Sequence, residues 1–194
     1  NINAINNNSV YAGLNSNDLG GNIGWNFASC PPPPVNYYWV GGTGNWSDVS
    51  HWATTSGGTT YHTNPPDSTS DVYFDVNSFI SSNDTVITSS NVKCHSFTDS
   101  GLSSSPVFYL PLYSLSVYGS LNISGNLKFV TSSIYFLSGY PGNTVNTNGY
   151  TFTPTAFQNF YIIFDNPSGT WQLQSDLNTG YNGTNYSTIR LKQG

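Results

Sequence analysis

The sequence predicts an all-β chain wound as a right-handed parallel β-helix, or solenoid, with an aromatic cap on its N-terminal side. Three observations predict it. From Asp71 onward the chain is a succession of short runs, among them DVYFDV, DTVIT, VKCHSF, NLKFV, SIYFLS, NFYIIF, TWQLQ and TIRLK. Most alternate apolar with polar residues between Gly, Asn, Ser or Pro, the mark of strands with one buried face. No stretch sustains the 3.6-residue apolar period of a helix. The strand-like segments also recur. Leu115-Ser-Val is followed 19 residues later by Ile134-Tyr-Phe, Tyr161-Ile-Ile comes 27 after that, and Ile189-Arg-Leu 28 later still. A second series, Leu121-Asn-Ile, Thr144-Val and Trp171-Gln-Leu, steps by about two dozen residues within the same period. A loosely kept interval of 20–30 residues is the signature of a solenoid, because one coil cannot bury its own apolar stripe and must share a core with its neighbours. A β-sandwich is the rival reading, since regular short strands suit it as well. Hairpin turns would favour the sandwich, yet Asn-Gly pairs occur only at Asn148-Gly149 and Asn182-Gly183.

Composition narrows the class. Charged residues make up 7% of the 194, there is no Glu, and 14 Tyr and 11 Phe are present. Disorder goes with high charge and few aromatics, and this chain has the opposite bias, in residues that favour strands. A folded, loop-rich, extracellular protein fits. The net charge of −5 comes from nine Asp against four Lys and Arg. With no basic stripe, nucleic acid is not an expected partner. No apolar run approaches the ~18–20 residues a membrane-spanning helix needs.

Taken in order, residues 1–28 hold a short strand signal at Val10, Ala12 and Leu14 and a glycine-punctuated turn ending on Trp25. Residues 29–36 include four consecutive prolines, which favour a stiff extended linker. Residues 37–70 open with YYWVGGTGNWSDVSHW, where Trp39, Trp46 and Trp52 crowd together between glycine turns. Buried, these rings form a plug; exposed, they form a platform for a sugar ring. Large aromatics usually pack, and a solenoid has open ends that must be covered, so a cap that closes the first coil explains the stretch. Residues 71–194 are the coils.

The ordered set W-V-G-G-x-G-N-W-S-D-x-x-H-W (39–52), V-x-F-D-x-N-S-F (72–79), C-x-S-F (94–97), SLSVYGSLNIS and GTWQLQSDL resembles a repeat module of very large Bacteroidota surface proteins. These include the gliding-motility adhesins exported by type IX secretion. The G-N-W-S pattern is also similar, more weakly, to β-helical autotransporter passenger repeats. NSNDLGGNIGWNF (15–27) looks like the close of a preceding module. The resemblance covers nearly the whole chain and implies a piece of a tandem array, cut in mid-coil at its C-terminal side, with Trp25 among the packing residues. It further implies a secreted cell-surface filament used in attachment and gliding, whose partners are neighbouring repeats and a surface polysaccharide or substratum. Asp67-Ser68-Thr and Asp84-Thr85-Val are similar to the Asp-Ser/Thr sites that Bacteroidota O-glycosylate, which makes Ser68 and Thr85 candidates.

Catalytic signals are weak. Asp71 and Asp75, on one face of an extended strand, stand about 13 Å apart, too far for the paired carboxylates of a glycosidase. Asp84, Asp99, Asp165 and Asp176 lie singly beside turn residues, where Asp usually caps local backbone. No G-x-S-x-G elbow is present, and His51, His62 and His95 have no evident partner set. The chain is therefore expected not to be an enzyme, and a polysaccharide-cleaving β-helix ranks behind a carbohydrate-binding module among the alternatives. Calcium is the one ion the sequence would suit, through the oxygen-rich DSTSDVYFD with Asp67, Asp71 and Asp75; the other reading is a polar turn. No other cofactor is implied. Cys30 and Cys94 either form a disulfide or remain two buried thiols. Tyr118, Tyr135 and Tyr161 are outward strand positions, either sugar contacts or ordinary β-surface.

Overall fold

A computed structural model describes residues 10–11, 25–26, 33–155 and 158–192. The chain divides into two compact units, Asn1–Pro33 and Pro34–Gly194, within the proline run. In the first unit β1 (Val10–Tyr11) pairs in parallel with β2 (Trp25–Asn26).

The second unit is a β-solenoid of about five turns. Its first turn holds β3 (Val35–Trp39), β4 (Gly44–Asn45), a short 3-10 helix (Val49–His51) and β5 (Trp52–Ala53). The next passes are β6 (Ser70–Phe74), β7 (Thr85–Ile87) and β8 (Val92–Cys94), then β9 (Phe97–Asp99) and β10 (Val107–Val117), then β11 (Leu121–Asn122) and β12 (Lys128–Phe136). Last come β13 (Asn143–Asn146), β14 (Thr151–Phe152) and β15 (Phe160–Asp165), followed by β16 (Trp171–Leu173), β17 (Asn178–Thr179) and β18 (Ser187–Lys192). One sheet runs β5-β3-β6-β9-β11-β13-β16. The other runs β4-β7-β10-β12-β15-β18, with β8 also on β10. Every pairing in both sheets is parallel except β3 with β5. Parallel neighbours joined by a full coil rule out the sandwich alternative, whose sheets are antiparallel.

The period-two pattern does what it predicts. In the first sheet Val72, Phe97, Leu121, Val145 and Leu173 stand in one inward column. In the second sheet Leu115, Ile134, Ile162 and Ile189 form another. The third coil is one residue out of the expected register: Ile134 lies beside Ile162, not Tyr161. Between the sheets runs a continuous aromatic core in which Phe74, Phe97, Phe108 and Phe129 lie 5.2–6.1 Å apart, centroid to centroid. Pro111 would break a ladder, and it falls where the β10–β12 register shifts between Leu110 and Ser114, as a bulge requires. There the hydroxyls of Thr131 and Ser132 donate to the Tyr113 carbonyl.

Candidate functional site

The tryptophans form a plug. Trp39 and Trp52 are 0% exposed and Trp46 3%. Trp52 meets Trp39 edge-on at 4.9 Å and Trp46 at 4.8 Å, and Trp46 reaches Phe108 at 5.6 Å. Buried indoles usually find an acceptor, and the tight turns supply one to two of the three: Trp39 Nε1 donates to the Gly42 carbonyl (2.8 Å) and Trp52 Nε1 to the Trp46 carbonyl (2.7 Å). The glycines let the backbone curl there, with φ of 86° at Gly41 and 76° at Gly42, in the left-handed region glycine tolerates. The antiparallel β5 then ends the first sheet beyond β3. The histidines join this packing. His51 stacks on Trp39 at 4.6 Å with Nδ1 2.7 Å from the Val40 carbonyl, and His62 stacks on Tyr37 at 3.6 Å with Nε2 3.0 Å from the Asn36 carbonyl. The side chain of Trp25, and the docking expected of residues 1–28, lie outside the described residues.

The three carboxylates of the expected calcium cluster go to separate tasks. Asp67 Oδ1 accepts from the Thr69 N–H (2.8 Å) and hydroxyl (2.7 Å), and the hydroxyl bond is the larger cause holding its acid below the usual range. Asp75 Oδ1 accepts from the Asn77 N–H (2.9 Å). In both turns the serine three residues on, Ser70 or Ser78, is buried and accepts from the aspartate N–H. Strand β6 stops at Phe74, so Asp75 opens a turn and does not share a strand face with Asp71. Among the described residues no group of three His, Cys, Asp or Glu stands close enough to hold a metal.

Asp71 instead meets His95 and Ser96. Asp71 Oδ1 lies 2.7 Å from His95 Nδ1 and accepts from the Ser96 N–H (3.0 Å), while Ser96 Oγ lies 3.2 Å from the same His95 nitrogen. A nucleophile relay needs serine and aspartate on opposite ring nitrogens. Here both share Nδ1, so the trio is a corner brace. Cys94 is a free thiol at the core, and burial pushes its pKa well up; Cys30 lies outside the described residues. Ser68 sits half-buried in the turn before β6, and Thr85 half-buried at the start of β7 with its hydroxyl on the Asn83 carbonyl (3.3 Å).

Two outward faces remain. On the second sheet the Arg190 guanidinium lies 4.1 Å over the Tyr161 ring, and the Lys192 ammonium 6.0 Å over Tyr135 while paired to Asp165 at 2.8 Å. One face of each ring is thus taken by a cation from β18, the strand next to Tyr161 and two strands from Tyr135. Tyr118 is half-buried just past β10. The first sheet differs. Its outward column in register is Tyr38, Tyr73, Thr98, Asn122 and Asn146. A second column beside it holds Asp71, Ser96, Ser120 and Thr144, and it is a brace: Asp71 Oδ1 accepts from Ser96 N–H, Ser96 Oγ from Ser120 N–H (3.3 Å), and Ser120 Oγ from Thr144 N–H (2.9 Å). In the first column, Thr98 and Asn122 make no side-chain hydrogen bond within the described residues.

The last described rung holds β16 and β18. Leu173 is 52% exposed, Ile189 41% and Leu191 78%, although their column-mates one rung in are buried or half-buried. With Phe164, Trp171 and Leu177 they line a shallow concavity. Comparison with protein-family models, with curated proteins and with solved structures finds no match to this chain.

Proposed function

We propose that the chain is a stacking module of a long extracellular filament that holds cells to a surface, in the manner of the Bacteroidota adhesin repeats its motifs resemble. The observation that carries this reading is the stacking itself, in which successive coils share their inward columns and one aromatic core. The first coil is closed by three buried tryptophans and the antiparallel β5. A solenoid is stable through nearest-neighbour stacking, so coil laid on coil lengthens the same structure. Neighbouring repeats of the same chain are the partners this suits, and gliding machinery would act on the assembled filament.

Antibody fragments raised against the chain test the reading on cells that make it. They should label intact cells and lower attachment under flow. Label that appears only after lysis, or attachment untouched at saturating label, would overturn it.

A further inference from the structure

We propose that the outward face of the first sheet binds a neutral, extended polysaccharide laid along the coil axis, across Tyr38, Tyr73, Thr98, Asn122 and Asn146. This rests on the surface-attachment reading for its setting and names the class of ligand that attachment would use.

The face is built in two parts. The brace column takes up the backbone N–H groups of successive coils through Asp71, Ser96 and Ser120, which fixes the rungs relative to one another. The neighbouring column then repeats at the ~4.8 Å spacing of paired strands, so five members span about 19 Å. Thr98 and Asn122 keep their hydroxyl and amide free for a ligand, whereas Asn146 Oδ1 already accepts from the Asn148 N–H (3.1 Å). Tyr38 and Tyr73 stack on each other at 4.8 Å and 16°, so they offer ring edges and phenol hydroxyls to a ligand rather than open faces. Donors and acceptors held rigid before binding lower the ordering cost that a flexible site would bear.

The chemistry selects the ligand. Neither column contains Lys or Arg, which nucleic acid and anionic polymers require. The one carboxylate, Asp71, is already engaged by His95. None of the large, strongly exposed apolar residues lies on this face, so it lacks the anchors that dominate protein interfaces. It is a flat ladder, whereas small-molecule sites are concave. What remains is a neutral polyhydroxyl chain that makes weak contacts rung after rung and gains affinity from their number.

The test uses the whole chain with insoluble cellulose, chitin and mannan, soluble glucomannan, the matching disaccharides, and alginate as the anionic control. Retention is expected on at least one neutral polymer, with its disaccharide competing only at concentrations at least tenfold higher. The double variant Thr98→Val/Asn122→Ala removes the half-buried Thr98 hydroxyl and the exposed Asn122 amide and should weaken retention about tenfold or more with an unchanged unfolding midpoint. Tyr135→Ala/Tyr161→Ala on the opposite sheet should leave it unchanged. No retention on any neutral polymer, preference for alginate, or retention indifferent to the Thr98/Asn122 change would each overturn the proposal. Antibody labelling of intact cells stands or falls apart from these outcomes, so a failed ligand and a failed setting are told apart.

Discussion

Replacing Trp52 by alanine is the sharpest test of the plug. Trp52 is fully buried and surrounded by Trp39 and Trp46 at 4.9 and 4.8 Å, Phe74 at 6.0 Å and Tyr37 at 6.1 Å. Truncating a buried aromatic to alanine costs about 3–5 kcal/mol through lost transfer energy and an unfilled cavity. Its indole also donates to the Trp46 carbonyl. Leaving a buried acceptor unpaired costs about 1–3 kcal/mol, which places the change at the upper end. Against a total stability of about 5–15 kcal/mol, the variant loses a third or more of what holds it folded. Trp52→Phe keeps most of the ring contacts and forfeits the hydrogen bond, so it should lose about 1–3 kcal/mol. Urea unfolding followed by circular dichroism reads both. Because solenoid stability is a sum of neighbour terms, amide exchange in Trp52→Ala should rise most in β3 and β6, and less in β12 and β15. An alanine variant within ~0.5 kcal/mol of the parent, the range of ordinary surface changes, or acceleration spread evenly over all coils, would refute the plug.

Three other outcomes follow from the same geometry. A Cβ on Gly44 would stand 2.0 Å from His51 Nε2, so Gly44→Ala must push the imidazole off Trp39 and should lower stability by about 1–3 kcal/mol, as overpacking does; an unchanged melting midpoint would show that the stack is dispensable. Cys94 should resist a thiol reagent in the native chain and react on unfolding, because it is buried and its pKa is raised and only the thiolate attacks; rapid native labelling at Cys94 would contradict the core assignment. Burial raises the Asp99 pKa even though Ser124 Oγ donates to it at 2.5 Å and the Leu127 N–H at 3.3 Å. The folded state therefore holds that proton more tightly than the unfolded one. Its contribution to stability is best below the ordinary value of 3.8 and is lost as pH rises through the higher folded value. Asn fits the site, with Oδ1 on the Leu127 N–H and Nδ2 toward Ser124. The Asp99→Asn variant should thus gain on the parent as pH climbs from about 3.5 toward 7, and a difference in urea midpoint that stays flat with pH would sink this account.

Much of the fold is legible in the residues because alternation and period are local and repetitive. Where alternation loses its phase, so does the reading. In FYIIFD the adjacent Ile162 and Ile163 are both apolar and both buried, yet only Ile162 joins the inward column, and that is where the expected register slips by one. Asp71 and Asp75 share a face only on a strand that continues, and β6 ends one residue short, at Phe74. Asp99 stands beside a turn residue, yet the alternation Phe97-Thr-Asp99 already places it on the inward side, where the structure buries it. The roles of His51, His62 and His95 were hidden for a different reason. Their partners lie 11 to 26 residues away, and stacking or bracing across turns leaves no local pattern. Asp84 is similar: burial alone would raise its pKa, and the N–H groups of Ser81 and Ile80, with the distant Thr43 hydroxyl, hold it low.

The outward ladder was within reach of the sequence. Inward residues of the first sheet are flanked by two outward neighbours: Ser96 and Thr98 around Phe97, Ser120 and Asn122 around Leu121, Thr144 and Asn146 around Val145. A flat ladder has no single conspicuous residue to mark it. The coil architecture makes such a face cheap to vary. Inward positions are fixed by packing that touches both neighbours, and the brace positions by backbone N–H groups that must find acceptors. Thr98 and Asn122 carry neither duty, so these two side chains are free to be set by a ligand, while Asn146 Oδ1 beside them accepts from the Asn148 N–H. If a solenoid meets the outside world anywhere along its length, it does so from a column that the stack itself does not need, and in this chain that column is neutral, hydrogen-bonding and straight.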